Sequence, residues 1–227
     1  MAGMGTLALL RAAGIGVGDE VVVPAFGTPE AARVVVLAGA VPVFADIDPI
    51  TYCLDPAAVA EVIGPRTAGV VAVGTFGRPV ESVRLHGLGR RHGLLVLEHP
   101  EEGAAVADVP QRRVHAAYLD RRLSGVVTPE CVEGHSYRQY VVRVPGNGRP
   151  DRDAFARAIR ARGVACSVPV KTPVHRTPDY LRRAVLPRTE RAADETLALP
   201  VDAAMSRRDL QRVVSACNAL GGLLAPA

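Results

Sequence analysis

Residues 20–45 read EVVVPAFGTPEAARVVVLAGAVPVFA, and this stretch decides the fold. It opens on a short β-branched run, Glu20–Val23, and closes on a second, Pro42–Ala45, with an amphipathic stretch near 29–39 between them. Both runs are apolar throughout, without polar alternation, which is the pattern of strands covered on both faces. The alternation continues downstream. Further apolar runs stand at Gly69–Val73 and Leu94–Leu97, and helices are predicted near 55–63 and 80–92. Strands separated by helices in this way predict a parallel sheet joined by right-handed crossovers. Ahead of it, residues 2–13 (AGMGTLALLRAA) are helix-like and stop at Gly14.

The second half changes character. Around Glu101 to Val109 the pattern breaks into a polar, alanine-containing connection, followed by a helix over Gln111–Leu123. His135–Val144 alternates as a strand, and Asp151–Arg162 is predicted as a helix with Asp151 as its N-cap. A short strand near 164–169, a Pro-rich loop (VPVKTPVHRTP) and helices near 187–196 and 206–220 complete the chain, the last capped by Ser206. This half reads as a smaller α+β domain, with no internal repeat and no low-complexity tract.

Composition excludes several classes. With 227 residues, 48% apolar and 22% charged, the chain has the makeup of an ordinary globular protein with room for a real core. No apolar run reaches the roughly 18 residues that span a membrane. Nothing at the N-terminus reads as a leader, so a cytoplasmic protein is expected. Cys53, Cys131, Cys166 and Cys217 are far apart and form no C-x-x-C pair, which predicts incidental thiols and neither a zinc site nor a disulfide framework. The net charge of +4 is modest, and four Phe, five Tyr and no Trp leave little to stack on bases. Nucleic acid is not expected as a partner.

Several segments carry a family resemblance: GIGVGDEVVVPAF at 14–26, LAGAVPVFADIDPITYCLDP at 37–56, PRTAGVVAV at 65–73 and RRHGLLVLE at 90–98. GHSYRQYVVRVP, RDAFARAIRARGV, PVHRTPDYL and ETLALPVDAAMSRRDLQRVV follow in matching order. Together they resemble the DegT/StrS-type sugar aminotransferases, fold-type-I enzymes that depend on pyridoxal phosphate (PLP) and aminate nucleotide-linked keto-sugars. The resemblance implies α/β architecture: a shortened large domain of about four parallel strands over 1–110, and a small α+β domain over 111–227.

PLP chemistry asks four things of such a protein: a lysine nucleophile, a carboxylate on the pyridine nitrogen, a phosphate-binding helix start and a stacking aromatic ring. In the family the carboxylate sits in an E-D-A-A-Q run after a strand. Here that place reads Glu98-His99-Pro100-Glu101-Glu102, with His99 at the aspartate's position. Glu98 should face the opposite way by strand alternation. A one-residue shift would bring in Glu101, although Pro100 opposes a regular continuation. The family's lysine-bearing block has no counterpart, because EHPEEGAAVADVP runs directly into QRRVHAAYLDRRL. Lys171 is the sole lysine among 27 Lys plus Arg residues. It stands in the Pro-rich loop, which in the family lines the substrate side; an exposed surface lysine is the simpler reading. Codon preference explains few surface lysines but not the loss of an essential one.

The phosphate-binding helix start is represented by Gly5-Thr6 or by Ala2-Gly3. Phe26 is retained, but Gly27-Thr28 replaces the family's Thr-aromatic pair. The candidates for a vestigial pocket are therefore Gly5, Thr6, Phe26, His99 and Glu102, with His135, Lys171 and His175 on the substrate side. No catalytic residue and no metal ligand is assigned. His86, His92 and His115 read as surface or packing residues, and Asp46, Asp48 and Asp55 as turn and cap residues.

The missing block predicts a sheet edge near Leu94–Leu97 with unpaired backbone and a bared apolar face. Soluble proteins cover such edges, here either by residues 99–123 folding back or by a partner chain. Family members are dimers, so a homo-oligomer or a complex with a full-length homologue is expected. Three functional readings remain. The first is a PLP-free pseudoenzyme acting through protein contacts or regulation. The second is a divergent or half-site aminotransferase subunit that uses PLP with another chain. The third is a degraded gene product.

Overall fold

The computed structural model describes residues 2–100, 108–144, 151–180 and 184–221. They divide into two compact units: Met1–Thr75 with Pro79–Glu102 and Thr172–Glu190, and Phe76–Arg78 with Gly103–Lys171 and Arg191–Ala227. A single cut at 110/111 does not reproduce this division. The segment 172–190 packs with the first unit, and three residues after the third strand pack with the second.

In the first unit the elements run α1 (Ala2–Ala12), β1 (Glu20–Pro24), α2 (Glu30–Ala38), β2 (Val41–Ala45), α3 (Pro56–Val62), β3 (Thr67–Val73), α4 (Ser82–His92) and β4 (Leu95–His99). The strands form one parallel sheet in the order β2-β1-β3-β4. Each strand sends alternate residues to opposite faces. Val21, Val23, Phe44 and Val71 meet Leu10 of α1 and Ala31, Ala32, Val34 and Val35 of α2. Val22, Ala45, Val70 and Ala72 meet Ala58 and Val59 of α3 and Leu85 and Leu88 of α4. Continuous apolar strands are what two covered faces require. At Gly89 of α4 a Cβ would stand 2.5 Å from Val96 Cγ2 and 3.0 Å from the Leu94 carbonyl, so helix and strand approach closely only because that residue is glycine.

β4 is an edge strand, as expected, but its apolar faces are not bare. Leu95 and Leu97 pack on the α1/α2 side and Leu94 and Val96 on the α3/α4 side, all partly buried. The reason is that α1 and α4 both reach the edge and cover its two faces. Only the backbone edge lacks a strand partner among the described residues.

In the second unit, α5 (Val109–Asp120), α6 (Asp151–Ala161) and α8 (Arg207–Gly221) pack on a hairpin-like sheet of β5 (Tyr140–Arg143) and β6 (Thr196–Leu199), paired antiparallel. α7 (Pro187–Glu195) leads into β6. The expected strand over 135–144 shortens to four residues, and the one near 164–169 reduces to a single bridge, Ser167 to Ala198. β6 was not expected: TLAL has no strong strand preference, and pairing with β5 imposes the extended form. Ser206 does cap α8, accepting from the Asp209 N–H at 3.3 Å while Asp209 accepts from the Ser206 N–H at 3.0 Å.

Candidate functional site

The C-terminal end of β4 carries the residue pair on which the site reading depends. Strand alternation turns Glu98 outward, where it accepts from the Ser82 hydroxyl of α4. His99 turns the other way and is 5% exposed. Its Nδ1 shares a 3.0 Å hydrogen bond with Thr6 Oγ1, and Thr6 is itself buried. Two of the sequence candidates are thus brought together, and they are bound to each other. Because α1 starts at Ala2, Gly5 and Thr6 lie beyond the residues whose N–H groups a helix start leaves free. Glu101 and Glu102 lie outside the described residues.

Phe26 is buried and stacks on Tyr52, ring centroids 5.7 Å apart. It packs as a core residue of the loop after β1. Tyr52 holds a left-handed backbone (φ +59°), and its carbonyl accepts from the buried Thr75 hydroxyl at 3.0 Å. Lys171 is exposed and belongs to the second unit, so the first unit contains no lysine.

The two substrate-side histidines lie in different units. His175 is fully buried in the first unit beside Phe44, with Nε2 3.3 Å from Glu190. Arg176 donates to the same carboxylate oxygen, and chiefly this bond holds Glu190 below the usual carboxylate range. His135 is buried in the second unit, stacked flat on Tyr137 at 3.9 Å. Its Nδ1 accepts from the Tyr137 N–H at 3.0 Å. Burial, with the nearby Arg78 charge, lowers its pKa to about 4, so the ring is neutral near pH 7.

Sequence reasoning missed the anchor of the 172–190 segment. Asp46 accepts from the N–H groups of Arg188 (3.0 Å) and Thr189 (2.7 Å) and from the Thr189 hydroxyl (2.6 Å), so it caps α7 from 142 residues away in sequence. Arg188 also pairs with Asp55 at 2.5 Å, while Asp55 caps α3 through the Ala57 N–H. The cap roles of Asp46, Asp48 and Asp55 were legible as residue types; the distant partners carried no sequence signal. Burial pushes the Cys217 thiol up to about 12, which leaves it inert. Among the described residues, no group of three or more His, Cys, Asp or Glu is placed to hold a metal ion, and no helix is long and apolar enough to cross a membrane.

A parallel β2-β1-β3-β4 sheet with helices on both faces, followed by a small α+β unit, defines the fold-type-I aminotransferase class. Its solved neighbours include NtdA of Bacillus subtilis with bound cofactor PMP, at a TM-score of 0.86 and 18% identity over 97% of this chain and 72% of that one. The chain belongs to the DegT/DnrJ/EryC1/StrS aminotransferase family, which it matches over residues 2–107 and 105–218. A pleiotropic regulatory protein of Geobacillus stearothermophilus is 26% identical over 299 residues, covering 90% of this chain and 79% of the relative. An L-glutamine:2-deoxy-scyllo-inosose aminotransferase of Streptomyces kanamyceticus is 45% identical over 89 residues, 39% of this chain and only 21% of that enzyme.

Proposed function

We propose that this chain is an aminotransferase-like pseudoenzyme that works without PLP, through protein–protein contacts or regulation. The observation that carries this reading is the Thr6–His99 bond, 3.0 Å long and buried, at the place where the family holds the pyridine nitrogen with a carboxylate. PLP needs a fixed negative charge there to keep its ring nitrogen protonated, and an imidazole supplies none. It also needs a lysine, and the first unit has none. On this reading the described residues do not fit the cofactor.

Two features of the comparisons support loss of an internal block. The family match falls in two pieces that meet at residues 105–107. The alignment with the Geobacillus protein runs over 299 residues, more than this chain's 227. That relative is named as a pleiotropic regulatory protein, which is in line with the regulatory reading proposed here.

The test is spectroscopic. Purified chain mixed with PLP is expected to give no aldimine absorbance band that borohydride removes. A stable band that disappears in Lys171→Ala would overturn the reading. The edge of β4, which has no strand partner among the described residues, favours one alternative, a half-site subunit that completes its sheet and PLP pocket with a full-length homologue. Co-expression with such a homologue separates the two, since only a half-site subunit raises aminotransferase activity in the complex.

A further inference from the structure

We propose that the second unit carries a binding site for a small phosphate-type oxyanion, centred on the guanidinium of Arg78. Arg78 is 4% exposed, and no sequence motif marks it. Its Nη2 donates to the Glu130 carbonyl at 2.6 Å, which fixes the plane of the group. Its Nη1 is buried and has no hydrogen-bond partner among the described residues. A buried guanidinium N–H left unpaired is costly and calls for an acceptor. The nearest carboxylate, Glu130 Oε2, stands 3.7 Å away, beyond hydrogen-bond reach, on a side chain that is 61% exposed. So exposed a partner is weakly held and is free to turn into solvent when a better acceptor arrives.

The surroundings are built around this group. Phe76 and Tyr137 both hold left-handed backbones, at φ +61° and +47°, which bulky residues adopt only when the structure forces them. Between Phe76 and Arg78, Gly77 runs so close to the 136–138 strand of backbone that a Cβ would lie 2.7 Å from the Arg138 nitrogen. The Ser136 N–H donates to the Gly77 carbonyl at 2.8 Å, and the Gln139 N–H to the Phe76 carbonyl at 3.3 Å. These contacts hold the Phe76–Arg78 turn rigidly against residues 135–139. Strain of this kind collects where a side chain has to be held in one position.

The unused donor selects the ligand. Arg113 donates to the His135 carbonyl at 2.8 Å, adding a second guanidinium to the cluster. His135 is neutral, so it neither adds to nor cancels that charge. Asp120, the nearby acid on α5, is already engaged by the Tyr140 hydroxyl at 2.6 Å. What remains is the Nη1 donor of a permanently charged guanidinium, and a guanidinium binds a tetrahedral oxyanion through charge-assisted hydrogen bonds.

Titration of the purified full chain with inorganic phosphate at constant ionic strength tests this, read by calorimetry and by arginine side-chain NMR signals. Saturable one-to-one binding is expected, weakened at least about tenfold in Arg78→Gln. Arg122→Gln removes the same charge from an exposed residue stacked on Tyr118 and is expected to leave binding unchanged. Arg113→Gln, exposed and so tolerant of change, is expected to weaken binding several-fold and serves if Arg78→Gln fails to fold. Methyl phosphate run in parallel assigns the site to an ester if it binds tighter than phosphate, and to free phosphate if it does not. Absence of saturable binding, equal losses in Arg78→Gln and Arg122→Gln, or unchanged binding in Arg113→Gln would each overturn the proposal.

Discussion

Thr6 Oγ1 on α1 and His99 Nδ1 at the end of β4 lie 3.0 Å apart, both buried, and join the first helix to the edge strand of the sheet. Under the proposed PLP-free reading this bond is purely structural. Thr6→Val is therefore expected to lower stability by about 1 kcal/mol, the net worth of one buried hydrogen bond, with no effect on any PLP absorbance. Urea denaturation measures the first and a PLP titration the second. His99→Asp is expected to cost more, because it puts a carboxylate in place of an imidazole ring at a buried position.

Asp46 anchors the 172–190 segment through its side chain. It accepts four hydrogen bonds, from the Ile47, Arg188 and Thr189 N–H groups and the Thr189 hydroxyl. Asp46→Ala leaves the start of α7 uncapped and a buried hydroxyl unsatisfied, an expected loss of about 2–4 kcal/mol. Hydrogen exchange should rise first at residues 187–190 if the anchor acts locally. Unchanged exchange there would contradict the assignment.

His135 makes stability depend on acid pH. Its pKa falls from an ordinary 6.5 to about 4 in the folded protein. Between those values the unfolded chain binds the proton and the folded chain does not, so stability falls as pH drops through this window. The loss amounts to about 3 kcal/mol when complete. His135→Gln should flatten the slope of urea midpoint against pH between about 6.5 and 4. A slope identical to the parent protein would exclude His135 as its source.

Gly89 allows α4 to lie against β4. A Cβ there meets Val96 Cγ2 at 2.5 Å and the Leu94 carbonyl at 3.0 Å. Gly89→Ala is expected to destabilise by about 1–3 kcal/mol through overpacking, despite the better helix propensity of alanine. Thermal denaturation reads the sign directly, and a stabilised variant would show that the helix can move away at no cost.

The backbone edge of β4 predicts association. Light scattering on a sizing column is expected to give a dimer, or a complex when a full-length homologue is co-expressed. A clean monomer under both conditions would count against partner coverage of that edge.

The sequence by itself determined the sheet. EVVVP, VPVFA, TAGVVAV and LVLEH are apolar on both faces, and burial on both faces leaves strands no alternation to hide in. It also determined, by residue type alone, that Lys171 is the only lysine and that a histidine, His99, follows Glu98 at the end of the fourth apolar run. Only the tertiary structure decided what those residues touch. The partner of His99 is 93 residues away and the partner of Asp46 143 residues away, and no local periodicity encodes a contact between two polar side chains at such a separation. The same holds for β6, whose TLAL segment is extended because β5 offers it a ladder, and for Arg78, whose burial comes from the turn folding onto residues 135–139. Local sequence sets which elements form, through propensity and the spacing of apolar residues. Long-range packing then decides which polar groups are buried together, because only closure of the chain brings them within hydrogen-bond reach.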